Sequence, residues 1–215
     1  MALKIDRLFT QNLSHPYDGI NFVKRSSLLK DFTSGETLFS QDDISVPDFW
    51  SQNATNILAQ KYFRKRGCNN ETSNVYKHLL EGVDHKDYEY DARQVFHRMS
   101  GCWAQWGLRS GYFDDEDDAK IFYDEVCFML VHQMAAPNSP QWFNTGLSWA
   151  YGIVGNSQGS WYVDKDKAVE TEDTYYRPQP HACLRGDSKL FTENGIVPIS
   201  EIVDSEKIGF KVYDG

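Results

Sequence analysis

The chain is poor in cysteine and has no long apolar run, and both features exclude classes of protein. Its 215 residues include four cysteines, none of them in a Cys-x-x-Cys pair, which disfavours structural zinc and a disulfide scaffold. No apolar stretch approaches membrane-spanning length, and the first residues lack the apolar core of a signal peptide. We therefore expect a cytoplasmic protein that does not associate with a membrane.

Positive charge is also scarce. The formal net charge is -9, and no run of lysine and arginine is long enough to attract nucleic acid by electrostatics alone. We expect no stable complex with nucleic acid, so any nucleotide must be held by a local pocket. Hydrophobic residues make up 40% of the chain and charged residues 25%, which is typical of globular proteins, so the chain should fold at least in part.

Turn residues and hydrophobic periodicity predict a helix-rich N-terminal half. A Gly-containing turn within residues 31–39 favours a small hairpin or arm. A first helix is predicted over residues 48–66 and a second over about 91–108. A third begins in the acidic run 114–118 and continues until Pro137 stops it. The apolar stripe of the second helix consists of Val95, Phe96, Met99, Cys102, Trp103 and Trp106.

Two charged clusters and three cysteines have plain explanations. The cations at 61–66 suit the negative end of the first helix dipole, and contact with a nucleotide phosphate is the alternative. The carboxylates at 114–118 suit a helix N-terminus, and they lack the alternating ligand spacing and the glycine of a calcium loop. Cys68, Cys102 and Cys127 are expected to be reduced thiols, the last two on apolar helix faces.

Beyond Pro137 the chain becomes rich in glycine, asparagine, serine and aromatic residues, mainly in the segments 138–146 and 151–159. Loops of this composition expose amides, hydroxyls and flat rings, and they often carry function. Taken alone, the sequence Asn-Ser-Pro at 138–140 would indicate only a turn.

Longer motifs give this region a family resemblance. Residues 133–147, QMAAPNSPQWFNTGL, and 178–183, PQPHAC, resemble the N-terminal region of class II, adenosylcobalamin-dependent ribonucleotide reductases. Shorter segments match in the same order, so that the resemblance covers roughly Phe22 to Cys183. These segments are residues 46–47, 57–65, 106–107, 111–113, 118–119, 122–125 and 151–152.

The resemblance implies a fold, a reaction and site residues. An α-rich N-terminal region would lead into the first strands of an α/β ten-stranded barrel, incomplete in this chain, with the Ser-Pro and Ala-Cys positions on those strands. Ser139 would contact a ribonucleoside diphosphate substrate, and Ala182 and Cys183 would line the same pocket. The enzyme would reduce ribonucleotides to deoxyribonucleotides for DNA synthesis, with adenosylcobalamin initiating thiyl radical chemistry.

The same resemblance implies that the chain cannot complete this reaction alone. One member of the cysteine pair that supplies electrons sits at the Cys183 position, and its partner and the thiyl cysteine would lie beyond residue 215. The cobalamin contacts are also expected outside this chain. Homodimer formation is left open.

From Cys183 onward the sequence resembles a different module, the first block of an intein with a Hint-type β fold. Read from the residues alone, 189–192 and 196–198 form short strands around an Asn-Gly turn, and 208–213 form a third strand. In an intein the Cys183 thiol would attack the carbonyl of Ala182 and start splicing. The alternative is an ordinary buried cysteine, and His181 is expected to support packing or the substrate loop.

These inferences divide the chain into four parts. They are an N-terminal arm or hairpin at 1–46, a helical reductase region at 47–136, the start of the barrel with its substrate loops at 137–182, and a short all-β intein fragment at 183–215. The predicted function is the N-terminal fragment of a ribonucleoside-diphosphate reductase interrupted by an intein. Its partners would be the substrate and the remainder of reductase and intein. The alternatives are the N-half of a split-intein precursor and a helical binding domain without chemistry.

Overall fold

The structure is a computed structural model that describes residues 2–68, 80, 82–84, 86–154, 162–163, 169–170, 178, 189–192 and 195–198. The chain divides into two compact units, residues 1–180 and 181–215. None of the helices in the described segments is long and apolar enough to cross a membrane.

An antiparallel hairpin opens the first unit. Its strands are β1 (Phe22–Lys30) and β2 (Thr37–Pro47), and a carboxylate oxygen of Asp31 accepts hydrogen bonds from two backbone amides in the turn. The predicted hairpin is confirmed, although its strands are much longer than the apolar runs suggested. Only the end near the helices is well buried, where Ile44 and Val46 belong to the core.

The first predicted helix is much shorter than residues 48–66. Helix α1 (Gln52–Ile57) begins after Ser51, whose hydroxyl accepts the Ala54 amide, and it continues as a π-helical turn (Leu58–Tyr62). The backbone is extended at Phe63, so the chain leaves the helix there. Of the basic cluster, only Lys61 therefore lies in the last helical turn. Because a helix dipole acts within that turn, it does not account for the cations at 64–66.

Two long antiparallel helices, which are neighbours in the fold, form the centre of the unit. Helix α2 (Ala92–Arg109) begins with a capping box. The Asp91 carboxylate accepts backbone amides of the first turn, and the Gln94 side-chain oxygen accepts the backbone amides of Tyr90 and Asp91. Helix α3 (Glu116–Val131) is capped by Asp115, so the acidic run does stand at a helix N-terminus. Both predicted helices are confirmed at their starts, and the core cluster draws residues from both.

Two details of these helices were predicted wrongly. Trp106 was placed in the buried stripe of α2, but 47% of its surface is exposed. Helix α3 ends at Val131, several residues before Pro137, and Gln133 beyond it adopts a left-handed backbone with φ 57°. The proline therefore does not stop the helix.

Short helices follow α3. They are α4 (Ser139–Asn144) and α5 (Leu147–Tyr151), joined through Gly146, whose φ is 81°. The expectation that Ser139 lies on a barrel strand is wrong, since it is the first residue of α4. Asn138 caps this helix, and Pro140 lies in its first turn, where a missing amide hydrogen costs no helical bond.

The remaining strands form two short pairs. The short pair β3 (Tyr162–Val163) and β4 (Val169–Glu170) is antiparallel. In the second unit, β5 (Lys189–Thr192) pairs antiparallel with β6 (Gly195–Pro198), which confirms the hairpin predicted there. His181, Ala182, Cys183 and the third strand predicted at 208–213 lie outside the described residues. No ten-stranded barrel is seen in the described segments, so the barrel stays a prediction.

Cys68, Cys102 and Cys127 are buried, as expected for thiols on apolar faces. Burial raises the pKa of Cys68 to about 12 and that of Cys127 to about 11. A thiol with so high a pKa is protonated at neutral pH and is a poor nucleophile. These two cysteines are therefore structural.

Gly146 offers a direct test of the packing between α2 and the α4–α5 junction. A Cβ at this position would overlap the carbonyl oxygen of Arg98, whereas a Cβ at Gly111, with a similar φ of 69°, would meet nothing within 4 Å. We expect Gly111→Ala to lower the free energy of unfolding by about 1 kcal/mol through backbone strain. Gly146→Ala should cost about 3 kcal/mol or more, because overlap adds to strain. Urea denaturation measures both variants, and equal losses would contradict the close approach.

Candidate functional site

Ser139 is held in place by an aromatic side chain from the π-helical turn. The hydroxyl oxygens of Ser139 and Tyr62 lie 3.0 Å apart, and either group can donate the hydrogen bond. The Tyr62 ring packs against those of Trp142 and Phe143, with centroid distances of 5.4 and 5.3 Å. Ser139 itself is half-buried. The serine is therefore fixed from one side and accessible from the other.

Arg98, in the middle of α2, connects the segments that carry Tyr62 and Ser139. Its guanidinium donates to the carbonyl oxygens of Thr145 at 2.8 Å, Trp142 at 2.6 Å and Tyr62 at 3.3 Å. These oxygens stand at the ends of α4 and of the π-helical turn, where helix carbonyls lack partners within the helix. One buried cation thus satisfies both helix ends at once.

Glu89 supplies the opposite charge. Its carboxylate lies 2.7 Å from Nε of Arg98, and both side chains are fully buried. The same carboxylate accepts the Arg64 amide at 2.7 Å and the Tyr151 hydroxyl at 3.0 Å. Burial raises the pKa of Tyr151, which remains a neutral donor. The pair is therefore surrounded by hydrogen bonds, which a buried ion pair needs in order to persist.

A basic cleft lies beside Tyr62. We give this name to the space lined by the six consecutive residues 61–66 and by Phe143 and Asn144, with a volume of about 290 Å³. Lys61, Arg64, Lys65 and Arg66 are its cations. Lys65 is partly withdrawn from it, since its ammonium nitrogen donates to the Ala59 carbonyl and lies 4.4 Å from the centre of the Phe39 ring. Burial lowers the pKa of this lysine.

The sequence prediction named Ser139, Ala182 and Cys183 as site residues. The structure places Ser139 against Tyr62, which also lines the basic cleft. Ala182 and Cys183 lie outside the described residues. The sequence reasoning missed Arg98 and Glu89. A signal existed, because Arg98 interrupts the otherwise apolar surroundings of Val95 and Met99 on α2, and a charge in such a position requires a partner.

The described residues hold no evident metal-ligand group, and the basic cleft does not fit a corrin ring. They contain no group of three or more histidine, cysteine, aspartate or glutamate side chains able to hold a metal ion. The basic cleft, at about 290 Å³, lies at the lower limit of ordinary small-molecule pockets and is polar and cationic. A corrin is larger and presents broad apolar surface, so the basic cleft does not fit it.

Comparison with known proteins identifies relatives of the chain. A family model described as "Class II vitamin B12-dependent ribonucleotide reductase" matches residues 24–133. The vitamin B12-dependent ribonucleotide reductases of Bradyrhizobium diazoefficiens and Agrobacterium fabrum are each 42% identical to it, over 92% of this chain and 17% of their own length. That of Rhodopirellula baltica is 33% identical, over 89% of this chain and 16% of its own.

These coverages carry two facts. The chain spans only about a sixth of the length of these relatives, with 17% covered in the first two. The aligned share, 92% of 215 residues, is longer than the stretch from the first residue to Cys183. The alignments with the first two relatives therefore continue beyond Cys183.

The buried ion pair can be tested by removing one charge. Glu89→Gln keeps the size of the side chain but leaves the Arg98 cation without a buried counter-ion, so we expect a loss of about 3 kcal/mol in the free energy of unfolding. Asp43→Asn is the matched control, because Asp43 pairs with Lys24 at 3.5 Å on the surface and both side chains are largely exposed. In chemical denaturation, the control should lose only a small fraction of the unfolding free energy that Glu89→Gln loses. Similar losses in the two variants would contradict a central role for the pair.

Proposed function

The chain belongs to the class II vitamin B12-dependent ribonucleotide reductase family, and we propose that it forms the N-terminal, substrate-contacting part of an enzyme that reduces ribonucleoside diphosphates. The observation that carries this proposal is the placement of Ser139. Its hydroxyl is half-buried, is oriented by Tyr62 and stands on a helix whose end is fixed by Arg98. A hydroxyl held in this way can donate to an oxygen of a bound nucleotide without first losing side-chain freedom.

The network behind Ser139 gives this part of the chain its proposed role. Arg98 fixes the carbonyl ends of α4 and of the π-helical turn, and Tyr62 bridges the two elements through its hydroxyl and ring. The substrate contact therefore depends on elements far apart in sequence. Displacement of α4 by a fraction of an ångström would move the serine away from its ligand, which is how distant substitutions lower catalytic efficiency.

The cofactor and the radical chemistry belong to the whole enzyme. The family is cobalamin-dependent, and the adenosyl form and thiyl radical chemistry are proposed from the resemblance. The basic cleft does not fit the corrin, and no reaction step is assigned to it through that cofactor. Homodimer formation and a cytoplasmic location likewise remain predictions from the sequence.

Ser139→Ala tests the proposed substrate contact in the complete enzyme. We expect kcat/KM for ribonucleoside diphosphate reduction to fall by about ten-fold or more, since one hydrogen bond to a charged ligand is lost. The unfolding midpoint should barely change, because the serine is only half-buried. Ser26→Ala, at an exposed position of β1, is the control and should retain full activity. An unaltered kcat/KM in the Ser139 variant would remove the serine from the site.

For the end of the chain we propose that Cys183 is the first residue of an intein. The support is the sequence block that follows it and the β5–β6 hairpin, which agrees with the predicted first turn of that module. Ala182 would then be the last reductase residue before the insertion. The competing proposal is uninterrupted reductase, in which Cys183 is the redox cysteine; the alignments that continue past Cys183 favour it.

Expression of the complete gene separates the two. If Cys183 starts an intein, the mature reductase will be smaller than the translated reading frame, the intein will appear as a second product, and Cys183→Ala will leave the precursor intact. Mass spectrometry of the purified protein measures this. A mature reductase with Leu184 still joined to Cys183 would contradict splicing and favour the redox cysteine.

A further inference from the structure

The basic cleft holds cations that the fold itself does not use. Among the described residues, the head groups of Lys61 and Arg66 have no carboxylate within salt-bridge distance. The Arg64 guanidinium donates through its Nε to the Arg66 carbonyl oxygen at 3.0 Å and likewise meets no carboxylate there. Four other cations of the unit, in contrast, lie in ion pairs with buried carboxylates. Arg7 and Lys120 share Asp124, Arg93 pairs with Asp91, and Arg98 pairs with Glu89.

The nearby carboxylate cannot neutralise the cleft. Glu89 is fully buried and already accepts hydrogen bonds from Arg98, the Arg64 amide and Tyr151. The eight residues that line the basic cleft include four cations and no acid. In a chain with a net charge of -9, a concave surface of this sign is a local exception to the overall field.

The helix-dipole explanation covers only part of this cluster. Lys61 lies in the last turn of the π-helical segment, where a cation is favoured. Arg64 and Arg66 follow Phe63, at which the backbone is already extended. Their convergence on the same cleft as Lys61 therefore requires another reason.

The part of the cleft that Phe143 lines has the chemistry of a nucleotide site. The Phe143 ring is 45% exposed and rests on the Tyr62 ring at a centroid distance of 5.3 Å, so it offers a supported flat surface. Bases stack on aromatic side chains of this kind, and arginine and lysine bind phosphate oxygens. A volume of about 290 Å³ suits a small ligand.

We propose that the basic cleft binds the phosphate groups of a nucleotide through Lys61, Arg64 and Arg66, with the Phe143 ring against the nucleoside. Tyr62 lines the cleft and also contacts the Ser139 hydroxyl, so the two sites are adjacent. The bound nucleotide is either the substrate that Ser139 contacts or a second nucleotide. In the first case this inference rests on the proposed function.

Binding to the complete protein tests the proposal, with inorganic tripolyphosphate and cytidine diphosphate as probes in calorimetric titrations. Lys61→Gln combined with Arg66→Gln should weaken tripolyphosphate binding by about ten-fold or more, because two charge-assisted contacts are lost. The control combines Lys4→Gln with Lys30→Gln, which removes the same charge from exposed positions elsewhere. It should leave binding unchanged. Equal binding by the two double variants, or no tripolyphosphate binding, would overturn the inference.

A second pair of variants tests the nucleoside contact and the source. Phe143→Ala should weaken cytidine diphosphate by about five-fold or more and leave tripolyphosphate unchanged, since only the nucleoside stacks. An equal effect on both probes, or none, would contradict the aromatic contact. If Ser139→Ala also weakens cytidine diphosphate, the cleft holds substrate phosphates; if it does not, the cleft holds a second nucleotide.

The two proposals can fail separately. If the two double variants bind tripolyphosphate equally well and the protein still reduces ribonucleotides, the proposed role of the cleft alone is overturned. Binding of tripolyphosphate that depends on Lys61 and Arg66, in a protein without reductase activity, would overturn the proposed function alone.

Discussion

The buried pair of Arg98 and Glu89 is the interaction on which the candidate site depends. Removing two charges from water costs several kcal/mol per ion, so such a pair persists only if every donor and acceptor is satisfied. Here the guanidinium meets three carbonyl oxygens in addition to the carboxylate. The requirement for satisfaction therefore fixes the positions of those carbonyls, and with them the ends of α4 and of the π-helical turn.

This constraint links packing to function. Tyr62 provides one carbonyl to Arg98, the hydroxyl contact to Ser139, and one face of the aromatic stack with Trp142 and Phe143. The serine and the basic cleft consequently share one tyrosine. Any change in Arg98 should be transmitted to both, because its guanidinium contacts carbonyl oxygens at both helix ends.

The sequence predicts those elements whose signals are local. The hairpin, α2 and α3 follow from turn residues, apolar periodicity and the acidic caps, and the β5–β6 hairpin follows from a short strand–turn–strand pattern. Helix α1 was predicted too long because its periodicity continues to Tyr62 while the backbone turns away at Phe63. A charge among apolar residues of α2 signalled a buried partner for Arg98, but the carbonyl oxygens that it contacts lie 36 to 47 residues away and could not be predicted. The position of Ser139 on a helix was missed although Asn138 and Pro140 mark a helix start.

Hydrogen exchange is the measurement that tests the organising role of Arg98 most directly. Arg98→Met replaces the cation by an apolar side chain of similar length, and exchange rates of backbone amides can be compared over residues 138–147 and over the hairpin β1–β2. We predict much faster exchange in the first segment, since the ends of α4 and its junction with α5 lose their fixed carbonyls, and a smaller change in the hairpin. Equal protection of residues 138–147 in both proteins would contradict the account.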